Sequence, residues 1–233
     1  MPCYFVTSTG TDIGKTYVTS LLVRSLLLHG YAAKAYKPIM SGVAQWDSND
    51  AAELLKAQGA AITPEDITAI APWQFSHPLS PHRAAEYAQR PIDPASLVAW
   101  CRDKYELSNA DDYTFIEGVG GVMVPITRSY TVLDWMRALG YPVLLVVGDY
   151  LGTISHSLSA LHVLHQTNIA VHGVVVNSSP CPVEHEDACR ILCELSPYPT
   201  MSMLSVARKH HEGAAYHDNI LSKTELDRFF LHS

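Results

Sequence analysis

Residues 8–16 read S-T-G-T-D-I-G-K-T, a glycine- and threonine-rich turn that ends in Gly14, Lys15 and Thr16. Residues 3–7 before it, C-Y-F-V-T, are strand formers. Residues 16–29 after it carry Val18, Leu21, Leu22, Leu26 and Leu27 at helical spacing, and Gly30 supplies a stop. Strand, glycine-rich loop and helix in this order form the context that a phosphate-binding loop requires. Loop N–H groups and the helix N-terminus, with a partial charge of about +0.5, would receive phosphate oxygens. Lys15 is expected to reach the β- and γ-phosphates of a nucleotide and the Thr16 hydroxyl to join a Mg²⁺ shell. The usual pattern has glycine at position 9, where this chain has Thr9, so the loop is a variant.

Outward from this loop the chain alternates. Strands are expected at 31–36, 113–117, 142–147 and 172–177, and helices at 50–58, 95–105, 131–138, 154–166 and 183–195. Continuous apolar strands separated by helices imply an α/β fold with a parallel sheet covered on both faces, here as a single domain over 1–233. Ligands in such sheets lie beyond the carboxyl ends of the strands, where Ser8, Lys37, Glu117, Gly148 and Asn177 fall. Between 59 and 94 the pattern weakens and prolines accumulate at 64, 72, 78, 81, 91 and 94, which suggests an excursion that covers or lines a site. No internal repeat or low-complexity linker is present.

With 16 Lys plus Arg against 23 Asp plus Glu, the net charge of −7 argues against nucleic acid or anionic lipid as partners, so any anionic substrate must be held by local groups. No apolar run approaches the roughly 18 residues of a membrane span, the start has no signal-peptide character, and five scattered cysteines suit a reducing compartment, so a cytoplasmic location is expected. Cys181, His185, Cys189 and Cys193 recur every four residues and could suggest a metal site. On one helix, however, such positions climb about 6 Å per step and cannot surround one ion, so they read as a packed helix face. His210, His211 and Glu212 read as an exposed polar loop.

Two carboxylates are placed to hold Mg²⁺, which takes one or two of them beside phosphates and water. Glu117 ends the strand at 113–117 and enters Gly118, Val119, Gly120 and Gly121, where backbone can approach a ligand closely. Asp50 opens a helix, a position at which capping is the structural alternative. Lys37 begins K-P-I-M-S-G at 37–42, where Pro38 sets the chain direction and Gly42 permits a tight bend.

Taken together, T-x-x-G-K-T (11–16), K-P-x-x-S-G (37–42), Asp50, S-P-H (80–82), E-G-x-G-G (117–121), V-V-G (146–148), Leu151–Gly152, His156 and V-V-N (175–177) resemble the dethiobiotin synthetase family in order and spacing over about 180 positions. The resemblance implies a P-loop NTPase-type fold and an ATP- and Mg²⁺-dependent ligase of biotin synthesis. In that family an amine of 7,8-diaminononanoate takes up CO₂ as a carbamate, ATP phosphorylates it, and the second amine closes the ring. It further implies that Lys15, Lys37, Thr11 and Ser41 act on the reacting groups. Asp12, Ile13, Gly14, Lys15, Thr16 and Tyr17 would cradle ATP with Gly118, Val119 and Gly120, and Thr16, Asp50 and Glu117 would arrange the metal. Asn177, with Ser178, would face adenine, since an amide offers both donor and acceptor. A homodimer is implied, with backbone at 148–155 of a neighbouring subunit on the substrate carboxylate.

The chain departs from the family at Ser8, where glycine is usual, at Gly10, where an acidic or amide residue is common, and at Val119, where alanine is usual. The first two changes are expected to move the conformationally free point of the loop. After Pro199 the family's L-G-x-I-P is replaced by T-M-S-M-L-S-V-A, so Ser205, Val206 and Ala207 carry only a positional expectation of nucleotide contact. Competing readings are a corrin-carboxylate amidating synthetase, a nucleotide-switched scaffold of the partition-ATPase kind, and a nucleotide-binding paralogue without turnover. The K-P-I-M-S-G stretch weighs against the first, and the lack of a lysine in 8–10 against the second. Lys15, Lys37, Asp50 and Glu117 weigh against the third.

Overall fold

β1 (Cys3–Ser8) is buried along its whole length because it lies in the middle of a six-stranded parallel sheet. Its side chains alternate between faces, so Tyr4 and Val6 enter one apolar core while Cys3 and Phe5 enter the other. The computed structural model describes residues 2–107, 109, 111–177, 185–206 and 220–231. The sheet runs β2 (Ala33–Tyr36), β5 (Tyr113–Glu117), β1, β6 (Val143–Gly148), β7 (Val171–Asn177), β8 (Ser202–Val206). The chain therefore reverses its winding about β1, with β5 on one side and β6 on the other. Crevices open at such switch points, here at the end of β1.

α1 (Lys15–Leu28) and α2 (Asp50–Ala57) cover one face, joined by α9 (Lys223–Leu231). α5 (Pro94–Glu106), α6 (Val132–Leu139) and α7 (Thr153–Gln166) cover the other, which α8 (His185–Leu195) joins through Leu192. There Trp135 meets Phe5 edge to face at 4.8 Å between ring centroids. A second parallel ribbon pairs β3 (Ile39–Ser41) with β4 (Trp73–Phe75) and places Ser41 beside the end of β1.

The expected strands and helices are found with ends shifted by one or two residues. The segment 59–94, where the sequence pattern weakens, holds α3 (Pro64–Ile70), β4 and α4 (Pro81–Tyr87). Pro64, Pro81 and Pro94 each stand in the first turn of a helix, where the missing N–H costs nothing. β8 and α9 are additional to the expectation. No described helix is long and apolar enough to cross a membrane.

Candidate active site at the ends of β1 and β5

The phosphate loop leaves β1 at Ser8 and enters α1 at Lys15. Left-handed backbone falls at Asp12 (φ 60°) and Gly14 (φ 94°), not at Ser8 or Gly10. The expected shift of the loop's free point to Gly10 is thus corrected: a Cβ there would meet nothing closer than Ile13 at 3.8 Å, and no unusual φ requires glycine. Gly14 is different, since a Cβ on it would run into the Asn177 amide nitrogen. That amide donates to the Ile13 carbonyl at 2.8 Å and ties the loop to the end of β7. Asn177 Oδ1 is buried with no hydrogen-bond partner among the described residues.

On the other side of β1, Gly121 lets the 117–121 loop press on the phosphate loop. A Cβ there would stand 3.2 Å from Gly10 N and from the Thr9 carbonyl. Glu117, 0% exposed, accepts at Oε1 from the Thr16 hydroxyl at 2.7 Å and from the Lys37 ammonium at 2.6 Å. Lys37 uses its other donors on the Gly118 carbonyl (3.2 Å) and on Asp50 Oδ2 (3.0 Å), so all three N–H groups are engaged. Burial alone would push this ammonium down, but the two carboxylates reverse the effect and hold its pKa above the ordinary lysine range. Asp50, half-exposed on the cavity side, is pushed up by burial and pulled further down by Lys37, so its carboxyl lies below its usual value. Its helix-capping alternative is not what the structure uses, because Asn49 is the N-cap of α2 and accepts from Ala52 N.

Lys15 is also buried, yet its nearest partners are neutral: the Ser8 hydroxyl at 3.1 Å and the Gly10 carbonyl at 3.4 Å. Burial and the neighbouring Lys37 charge lower its pKa to about 8, against the pull of Glu117, Asp50 and Asp12.

These groups open into one cavity of ≈ 720 Å³, lined by Thr11, Asp12, Gly14, Lys15, Thr16 and Tyr17 from the loop and α1. Lys37, Ser41, Asp50, Val119 and Gly120 complete that wall. Glu117 and Gly118 stand behind it, reaching it through Thr16 and Lys37. Ser20 and Arg24 on α1, with Asn49 and Glu53 opposite, extend the cavity beyond the expected residues. Their signal was the spacing 16, 20, 24 on one helix face. Ser205 and Val206 lie in β8, paired next to Asn177, and line no part of this cavity. Ser178, Ala207, Cys181, His210, His211, Glu212 and the His185 side chain lie outside the described residues. Among those described, no His, Cys, Asp and Glu cluster of three is arranged for a metal ion.

The oxygen donors of Thr16, Asp50 and Glu117 nevertheless suit a hard cation arriving with phosphates. Glu117 Oε2, buried and without a hydrogen-bond partner among the described residues, is the kind of orphaned oxygen such an ion satisfies.

A family model described as an AAA domain matches residues 3–210. In solved structures the fold is similar to the MinC:MinD cell division protein complex of Aquifex aeolicus, with TM-score 0.51, 13% identity, and 82% of this chain and 78% of that one covered. A ParA family ATPase from Chlorobium tepidum aligns with TM-score 0.50 at 10% identity, over 89% and 84% of the two chains. These likenesses concern the fold alone. In sequence, an ATP-dependent dethiobiotin synthetase BioD of Methylobacterium nodulans is 44% identical over 185 residues, 77% of this chain and 82% of that protein. The enzyme of the same name from Acidiphilium cryptum is 43% identical over 190 residues, 79% and 84%. One from Escherichia coli is 30% identical over 217 residues, 91% and 94%. With this identity sustained over more than two thirds of each partner, the chain belongs to the dethiobiotin synthetase family.

Proposed function

We propose that the chain, as a single domain over residues 1–233 in the cytoplasm, catalyses the ATP-dependent closure of 7,8-diaminononanoate and CO₂ to dethiobiotin. The observation that carries the reading is the meeting of two buried lysines of opposite surroundings in one cavity. Lys15 faces neutral oxygens and awaits an anion; Lys37 is seated on carboxylates beside Ser41.

One amine of the substrate adds to CO₂ and loses a proton, giving a carbamate. A carbamate oxygen attacks the γ-phosphorus of ATP and ADP leaves. The second amine then attacks the carbamoyl carbon and loses a proton, the C–O bond to phosphate breaks, and phosphate leaves with the ring closed. Little covalent work falls to the protein, so positioning and charge stabilisation dominate. Lys15 and the backbone N–H groups of residues 12–17 hold the β- and γ-phosphates. Lys37 neutralises the carbamate and the phosphoryl group passing to it, while Thr11 and Ser41 hydrogen-bond the carbamate and its amine.

Thr16, Asp50 and Glu117 would hold Mg²⁺, which when bound supplies charge neutralisation on the phosphate oxygens. Asn177 and Ser178 meet adenine, with Gly118, Val119 and Gly120 along the nucleotide. The substrate carboxylate rests on backbone at 148–155 of a second copy, a reading supported by the N-terminus of α7, where Gly152 offers no side-chain cap.

Incubation with ATP, Mg²⁺, bicarbonate and 7,8-diaminononanoate, followed by mass spectrometry, is expected to give the cyclic urea only when all four are present. ADP release that ignores the diamine, with no product, would overturn the reading. Sedimentation should give a dimer; a monomer at assay concentration would remove the shared-site part.

A further inference from the structure

Ser8 closes β1 fully buried, and its hydroxyl stands at the centre of a small ring of polar atoms. Its Oγ donates to the Gly10 carbonyl at 2.6 Å, with the Gly120 carbonyl of the opposite loop at 3.2 Å. A hydroxyl has one proton and two lone pairs, so with its proton on a carbonyl it is left as an acceptor, and the Lys15 ammonium donates to it at 3.1 Å. Lys15 also approaches the Gly10 carbonyl at 3.4 Å, so two of its three donors turn toward the loop's own oxygens. One donor remains for the cavity that Lys15 lines.

We infer that Ser8 is a positioning residue for nucleotide binding, its hydroxyl anchoring the Lys15 ammonium over the phosphate loop before the nucleotide arrives. The inference rests on reading residues 8–16 as the nucleotide loop. A lysine stem has four rotatable bonds, and holding it beforehand removes the cost of ordering it from the ligand's affinity. Glycine at this position would have no side-chain atom with which to make this contact.

ADP titration calorimetry on the full chain, without diamine, separates this role from simple support of the loop. Wild type, Ser8→Ala, Lys15→Met and the double variant form a cycle. Ser8→Ala is expected to weaken ADP by about tenfold, the scale of one hydrogen bond to a charged group, and by less than about twofold once Lys15 is Met. Ser8→Gly should repeat the pattern if the alanine variant folds poorly. Equal weakening in both backgrounds would make Ser8 a loop support and overturn the inference, as would a Ser8→Ala variant that binds ADP as well as wild type while Lys15 is in place. Because ADP binding needs no ring closure, this result and that of the four-component assay stand or fall separately.

Discussion

The surroundings of Lys15 and of Lys37 differ in one respect that decides their chemistry. Both ammonium groups are buried, 7% and 4% exposed, and both lose hydration. Around Lys15 the contacts are neutral oxygens, and its pKa falls to about 8. Around Lys37 two carboxylates stand at 2.6 and 3.0 Å, and its pKa rises. Burial sets the cost, and the partner's charge decides its outcome. Lys15 is left with no carboxylate among its hydrogen-bond partners in the described residues. The other carries its anions with it and must share them with whatever binds next.

The sharpest way to break this contrast is Lys37→Ala beside Lys15→Met. Lys37→Ala leaves Glu117 buried without its cation, and a loss of about 3–5 kcal/mol in urea unfolding at pH 7 is expected. Product formation should drop by about a thousandfold while ADP binding persists. Lys15→Met, which strands no carboxylate, should leave stability unchanged or raise it. Equal losses in the two variants would mean that the carboxylates do not distinguish the lysines.

Glu117→Gln keeps the shape and removes the charge. The Mg²⁺ concentration for half-maximal turnover should rise by at least about tenfold, read from ADP release across a Mg²⁺ series. An unchanged Mg²⁺ curve would take Glu117 out of the metal set. Asp50→Asn tests the outer partner of Lys37. At 51% side-chain exposure the pair is partly solvated, and a stability change within about 1 kcal/mol is expected from thermal unfolding.

His172 repeats the case of Lys15 outside that cavity. Burial pushes its imidazole below the ordinary value, with the Phe229 carbonyl pulling partly back. The folded chain keeps it neutral while the unfolded chain gains a proton below roughly pH 6.5. Stability from this group is therefore full above that value and lost as pH falls through the lowered folded pKa. His172→Gln should flatten the slope of stability between about pH 7 and 5; an unaltered slope would place the dependence elsewhere.

The phosphate loop, the parallel sheet and the strand ends could be read from the chain because long apolar runs and a strand-loop-helix order are local signals. The segment 59–94 could not, since proline both breaks helices and starts them, and only the three-dimensional packing shows which role Pro64 and Pro81 take. Lys15, Thr16, Lys37, Asp50 and Glu117 were each visible as residues. Their pairing was not, because Lys37 and Glu117 are 80 positions apart and meet only through the order of β2 and β5 against β1. Ser8 was visible as an unusual residue without a partner, and that partner is Lys15. Asn177 was read as offering both amide functions to a base; one of its two N–H groups is held by the Ile13 carbonyl, which leaves the other N–H and Oδ1.

The central place of β1 also bears on how the chain is made. The strand, with Cys3, Tyr4, Phe5 and Val6 in it, is synthesised before its partners in β5 and β6, which are more than a hundred residues downstream. At 5–20 residues per second, β1 waits roughly 5–30 s for its neighbours. During that interval an apolar, β-prone segment has unpaired edges on both sides, and parallel pairing at such separation is slow to form. Until β5 and β6 are made, the strand that later presents the phosphate loop is a segment for a chaperone to cover.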